Sequence, residues 1–429
     1  MIEWNDLTIG ELVDKGEADL QTGPFGTQLK ASDYVDEGTP VINVRNVGFG
    51  NIRLKDLEYL DEAMVEKLHV HQLKRDDIVF ARKGAVERHA LIDGESEGWI
   101  QGSDCLRLRI SSDRVSRQFL SYYFLTSAHQ YWMEAVCSFG ATMSSLNQDI
   151  VKHIAFPNPP VAVQEKVVAV LKTYDDAIGN CDRRIQILET TAEQTFREWF
   201  VRMRFPGFKS ATFQKGVPSD WAQTTLGKTA TMVMGQSPKS EFYNEIGDGL
   251  PFNQGVGTYG RRFPKRKTFC SIDGRRAHEG DILFSVRAPV GRLNIADCEM
   301  IVGRGLAALR HKDDLNSYLF YLLKVAFSNE DIIGNGAIFN SVGKDELANF
   351  KIFGPTSSLV ERFDAFASPI DEQINELTRS IALLTESRNS LLRRLIAGRL
   401  DVADLQIRGS KNCDAAAEEL RDSGELVHA

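Results

Sequence analysis

The chain has 429 residues, 42% hydrophobic and 26% charged, which is length enough for two or three domains with a sizeable core in each. No apolar run approaches the roughly 18 residues needed to span a bilayer, and the N-terminus MIEWNDLTIGEL lacks the basic and apolar regions of a signal peptide, so a cytoplasmic protein with no membrane partner is expected. The formal net charge of −8 excludes a nucleic-acid partner only if it is spread evenly, and it is not.

Residues 1–156 hold 16 Lys and Arg against 24 Asp and Glu. From Lys209 to Lys312 the count is 16 against 9, a local balance of +7, while the stretch from Asp401 to Ala429 holds 3 against 7. Acidity belongs to the first domain and the tail, and a basic region lies between them. The six cysteines are scattered with no CxxC pair, which argues against a disulfide framework and a zinc site. His69 and His71 have no nearby cysteine or paired carboxylate motif and read as surface histidines rather than metal ligands.

In chain order, residues 1–160 alternate short apolar runs with Gly, Pro, Asp and Asn turns. PVINVRNV (40–47), DIVFARKGAV (77–86), CLRLRI (105–110) and HIAFPNPP (153–160) read as strands of a mixed or antiparallel sheet. Between them FLSYYFLTSAHQYWMEAV (119–136) has helical spacing, so the domain is α+β. A helical region follows over 161–206, stopped by Pro206 and Gly207. Its seam runs Val167, Leu171, Tyr174, Ile178, Cys181, Ile185, Leu188, Ala192, Thr195 and Trp199, the four-three spacing of a coiled coil.

After that stop the chain repeats itself. Asp77-Ile78-Val79-Phe80 matches Asp281-Ile282-Leu283-Phe284 and Arg88 matches Arg292, both at an offset of 204. Gly102 and Arg109 match Gly303 and Arg310 at 201, Tyr122 matches Tyr321 at 199, and Ser145 matches Ser341 at 196. A steadily shrinking offset is what loop deletions between aligned elements produce. The second globular domain spans 207–356, and a second helical region, 357–402, rewrites the seam at an offset of 196. That seam reads Phe363, Ala367, Ile370, Ile374, Leu377, Ile381, Leu384, Arg388, Leu391 and Leu395. Ser368-Pro369 reads as a cap followed by proline at the first helical position, and Gly398 as the stop. Residues 403–429 form a weakly structured acidic tail.

Two copies of a domain-helix unit can form a pseudo-two-fold molecule when the two helices pair with each other; a parallel pair, or helices that pair only between chains, is the competing reading. If they pair antiparallel, the domains lie at opposite ends of a rod roughly 45 Å long at ~1.5 Å per residue, about one turn of DNA. Arg388, at a seam position, would help fix the register. The outer face beyond the seam, with Phe196, Phe200 and Val201 near Trp199, offers a docking surface for a partner.

The chain has no phosphate loop, no GxGxxG, no HExxH and no GxSxG. Asn158-Pro159-Pro160 echoes an amino-group methyltransferase motif, but Val161 stands where an aromatic is required, so a strand exit is the better account. What remains is binding. Arg261, Arg262, Lys265, Arg266 and Lys267 surround Phe263 and Pro264 between glycines, which reads as an exposed basic loop. Arg275, Arg276, Arg287, Arg292 and Arg304 in the second domain, with Arg82, Lys83, Arg88, Arg107 and Arg109 in the first, complete a candidate DNA-binding set. Such residues neutralise phosphates or read guanine edges.

These residues resemble the DNA-specificity subunit of Type I restriction-modification systems. The resemblance is carried by Gly23-Pro24-Phe25-Gly26-Thr27, Pro40-Val41-Ile42-Asn43-Val44 and Asp77 to Arg82 in the first copy. In the second it is carried by Gly235-Gln236-Ser237-Pro238, Leu250 to Gly255, Asp281 to Asp297 and the helix end Leu391 to Leu400. It implies two target-recognition domains separated by an antiparallel helical pair, each reading one half of a bipartite double-stranded DNA site. It also implies partners, namely methyltransferase subunits that supply S-adenosylmethionine and a restriction subunit, with no cofactor, metal or catalysis on this chain. The reading from another class is a coiled-coil assembly protein whose globular domains bind protein partners.

Overall fold

The computed structural model describes residues 4–26, 28–138, 144–327, 332–333, 337–338, 341–402 and 404–405. Thr27 and all of the expected acidic tail except Asp404 and Leu405 therefore lie outside the described residues. The chain divides into two compact units, Met1–Gly179 with Ala382–Ala429, and Asn180–Ile381.

In the first unit the main sheet orders Ala18–Thr22, Cys105–Ile110, Ile78–Ala81, His89–Leu91 and Phe49–Gly50 from edge to edge. Register pairs Ile78 with Leu108 and Phe80 with Leu106, so alternate side chains share a face. Ile78, Phe80, Leu106 and Leu108 turn into a core closed by Leu120, Phe124 and Met133, while Val79 and Ala81 line a second one with Ile42 and Val47. A smaller sheet orders Glu58–Leu60, Thr39–Ile42 and Ile100–Gln101.

The second unit repeats this connectivity. Its main sheet orders Ala230–Met234, Leu306–His311, Ile282–Ser285 and Leu293–Ile295, and Ile282 pairs with Leu309 as Ile78 does with Leu108. Its second sheet centres on Leu250–Asn253 beside Met300–Val302. In both units the middle strand of this second sheet runs parallel to a neighbour, Val41 beside Ile100 and Phe252 beside Ile301. The main and smaller sheets of the first unit and the second sheet of the second unit are mixed, whereas the four-stranded sheet of the second unit is antiparallel throughout.

Two helices dominate the rest, α1 (Val161–Phe196) and α2 (Ser357–Ile396). No seam residue is exposed on either. Within the first unit Val167 and Leu171 cluster with Leu392, Leu395 and Ile396, and Leu391 packs against them. Within the second, Ile185 clusters with Ile374 and Leu377, flanked by Cys181, Leu188, Ile370 and Ile381. Tyr174, Ile178 and Leu384 are half-buried. Asp175 meets Arg388 in the first unit, and Phe196 meets Phe363 in the second. In each unit the facing residues rise along α1 as they fall along α2.

Several elements depart from the sequence expectation. The second helix does not start at Ser368; it opens at Ser357 and runs through Pro369. Proline removes one helical hydrogen bond, yet Val360, Phe363 and Ala367 are buried in the second unit's core, and that burial holds the preceding turns helical. Residues 119–136 form two helices, Arg117–Phe124 and Ser127–Ser138. The strand at 40–47 stops at Ile42 because buried Asn46 donates to the carbonyls of Arg53 and Lys55 and turns the chain. Of the expected docking face only Val201 is exposed, and Phe196, Phe200 and Trp199 do not form an open surface. Phe196 is 2% exposed, and all three pack into the second unit's core.

Candidate nucleic-acid interface

In each unit three chain segments are pressed together where strands of the two sheets end, and glycine permits it. A Cβ on Gly23 would stand 1.9 Å from the Gly102 carbonyl oxygen, and one on Gly102 would stand 2.7 Å from that of Ile42. The second unit reproduces the device, with 2.1 Å between a Cβ on Gly235 and the Gly303 oxygen, and 2.8 Å between one on Gly303 and Gln254 Cα. Backbone cannot yield at such distances. The side chains that flank these glycines are therefore gathered at one edge of each unit.

At the second unit's edge Arg287 and Arg304, both exposed, line an open cleft of about 180 Å³ with Gln254, Gly255 and Val256. The Arg304 backbone N–H donates to Ser237 Oγ at 3.1 Å. Exposed Arg275 accepts at its carbonyl from the Val302 N–H at 2.8 Å, two residues before Arg304. The structure thus brings Arg287 and Arg304 together at one cleft, with the backbone of Arg275 bonded to the strand that leads into Arg304. A guanidinium fork can bind a phosphate or the guanine edge, and a Gln amide can read adenine. Gln254 and Ser237 lie in segments that carry the resemblance but were not among the expected DNA-binding residues, because an uncharged residue in a loop gives no compositional signal.

The basic loop differs from expectation. Lys265 and Lys267 are exposed, but Arg266 pairs with Asp297 at 2.7 Å. Arg261 reaches Asp182 and Glu189 of α1, at 3.0 and 3.3 Å. Arg262 is 2% exposed, pairs with Asp371 of α2 and lies 4.5 Å from the centroid of the Phe320 ring. Burial works to lower its pKa, but Asp371, Tyr321 and Glu189 outweigh that and hold it above the usual arginine value. Arg262 belongs to the fold. Arg276 is engaged by Asp273 and Glu299, and exposed Arg292 donates its backbone N–H to Ser285 Oγ.

In the first unit two of the five expected residues serve the sheet. Arg107, 4% exposed, donates to Asp19 at 2.5 Å and to the Val70 carbonyl. Arg109 grips Asp77 with two bonds of 2.7 and 2.6 Å, and Arg310 repeats the pair on Asp281. Lys83 pairs with Asp104 at 2.9 Å. Arg82 and Arg88 lie over the rings of Phe25 and Phe49 at 5.1 and 5.6 Å, and both rings are exposed. Those two aromatics were missed; their signal was an exposed ring beside glycine.

Of the histidine pair His69 is exposed, whereas His71 is buried, its pKa lowered by burial and then by Arg107. Among the described residues no group of three or more His, Cys, Asp or Glu could hold a metal, five cysteines are free, and no helix is long and apolar enough to cross a membrane. Asn158 serves the joint between strand and helix, accepting from Gln164 at 3.0 Å.

The fold is that of a duplicated mixed α/β protein with two long helices. The family described as the Type I restriction modification DNA specificity domain matches residues 1–190 and 218–379, and the chain belongs to it. A relative from Methanocaldococcus jannaschii, provisionally named the specificity subunit of type I restriction enzyme MjaX, is 26% identical, over 85% of this chain and 88% of its own. The MjaIX specificity subunit of the same organism is 24% identical over 69% and 72%. The crystal structure of the Type-I restriction-modification system S subunit from M. genitalium is 17% identical, covers 92% of this chain and 96% of its own, and superposes with a TM-score of 0.58, a likeness of fold.

Proposed function

We propose that this chain is the non-catalytic DNA-recognition subunit of a Type I restriction-modification complex, acting in the cytoplasm. Residues 1–160 and 207–356 are its two target-recognition domains, and each reads one half of a bipartite, asymmetric duplex site. The observation that carries this reading is the glycine-welded edge that recurs in both units with different side chains around it. One edge presents Arg82 and Lys83 beside Phe25, the other Arg287 and Arg304 beside Gln254. A shared frame with unlike contacts recognises unlike sequences.

Residues 161–206 and 357–402 are the spacer. The opposed order of facing residues within each unit supports an antiparallel coiled coil with pseudo-two-fold repeat, and α1 alone, 36 residues at ~1.5 Å each, measures about 54 Å. Methyltransferase subunits that hold S-adenosylmethionine, and a restriction subunit, are the partners such a scaffold serves; no cofactor is assigned to this chain. The test is Arg287→Ala with Arg304→Ala in the assembled complex, assayed by selection from a random duplex library. One half of the enriched motif should fade while the other persists. Both halves kept at wild-type strength would overturn the assignment of that edge.

A further inference from the structure

The repeat contains one correspondence that recognition does not use. Tyr122 and Tyr321 occupy matching places on the domain helices, and Asp175 and Asp371 matching places on the long helices at the seam's own offset of 196. In the first unit Tyr122 donates its hydroxyl to Asp175 Oδ2 at 2.6 Å, and Arg388 donates to the other oxygen at 2.6 Å. In the second, Tyr321 donates to Asp371 Oδ1 at 3.0 Å, Ser317 Oγ donates to Oδ2 at 2.6 Å, and Arg262 engages the same carboxylate.

Apolar packing would hold these helices together without direction. A hydroxyl and an arginine converging on one half-buried carboxylate add direction, because charge-assisted hydrogen bonds tolerate little angular drift. Burial, and then the neighbouring carboxylate, push both tyrosines above their ordinary pKa, so each stays a donor throughout the working range. The arginines differ in origin. Arg388 comes from the seam of α2, whereas Arg262 comes from the basic loop of the second domain, so that loop is tied to the long helix at the point where the domain helix is held.

Resting on the recognition reading above, the geometry points to a duplicated carboxylate latch, Tyr122 with Asp175 and Tyr321 with Asp371, whose members are positioning residues. Each latch fixes a domain helix on the long helix beside it, and the pair thereby sets the spacing at which two half-sites are read. Arg262 extends the second latch to the loop carrying Lys265 and Lys267.

The experiment compares Tyr321→Phe, Tyr122→Phe and Asp371→Asn with wild type in the full chain assembled with its methyltransferase partner. Two quantities are read: binding to duplexes with the selected spacer and with one base pair more or fewer, and hydrogen exchange of Asn316–Ala326 and Arg117–Phe124. Each Phe variant should lower discrimination between spacers by roughly tenfold or more, the scale of one charged hydrogen bond, leave half-site sequence preference intact, and speed exchange only in its own domain helix. Unchanged spacer discrimination together with unchanged exchange would overturn the latch. A wild type without sequence selectivity would instead overturn the recognition reading, and exchange alone would then decide the latch.

Discussion

Replacing His89 and His129 should flatten the acid limb of stability in the first unit. Both are buried, at 1% and 3% exposure, against Phe124, with ring centroids 5.2 and 4.7 Å from it. His89 Nε2 shares a hydrogen bond with Ser121 Oγ at 2.8 Å. Burial pushes each down to about 3 from an ordinary 6.5, and His89 also feels His129. The unfolded chain binds a proton at each near 6.5 while the folded unit binds none until about 3, so stability falls as pH drops through that window. At ~1.4 kcal/mol per pH unit and group, descending from pH 6.5 to 5 costs about 2 kcal/mol for each histidine and about 4 for both. Glu11, held low by bonds from Thr8, and Glu17, held low by Arg114 and Ser112, lose their contributions only below about pH 4.5, beneath the histidine window. Hydrogen exchange of Ile78–Ala81 and His89–Leu91 in urea, measured at several pH values, should show a steep loss of protection in wild type and a shallow one in His89→Gln with His129→Gln. Equal slopes would refute the reasoning.

Other outcomes follow from the same geometry. Gly303→Ala forces a Cβ to 2.8 Å from Gln254 Cα and should lower stability by about 3 kcal/mol. Gly179→Ala in α1, with nothing within 4 Å of its Cβ, should raise it by up to about 1 kcal/mol; thermal melts that fail to separate the two would contradict the close-approach account. Arg310→Met leaves Asp281 buried without its cation and should cost about 3 kcal/mol or more by urea titration, whereas an exposed ion pair would cost under about 1. If Lys265 and Lys267 touch phosphates, replacing both by Ala should reduce the salt slope of DNA binding by about 1.8 with the motif unchanged; a changed motif would make them base readers.

The long helices were legible because burial repeats along them every three or four residues, and a seam written twice at one offset is hard to obtain by accident. Their start was not, since Pro369 is a strong local signal and the packing that overrides it, around Phe363, is made by residues distant in sequence. The same blindness affected the arginines. Residue type records a charge but not its partner, and Arg107 finds Asp19 88 positions away while Arg262 finds Asp371 109 positions away. The acidity of the first domain reads differently once Asp19, Asp77 and Asp104 are seen holding Arg107, Arg109 and Lys83. The edge itself was not located from sequence: the repeat matched Gly102 with Gly303, but only the structure shows Gly23 pressed on the first and Gly235 on the second.

The measurement that bears most directly on the central claim is selection of the purified chain, alone and with its methyltransferase partner, against a random duplex library, with sequencing of the bound fraction. The account predicts one enriched motif with two unlike halves and a fixed gap. Binding without an enriched motif, at low salt and with assembly verified, would contradict it and favour domains that bind protein.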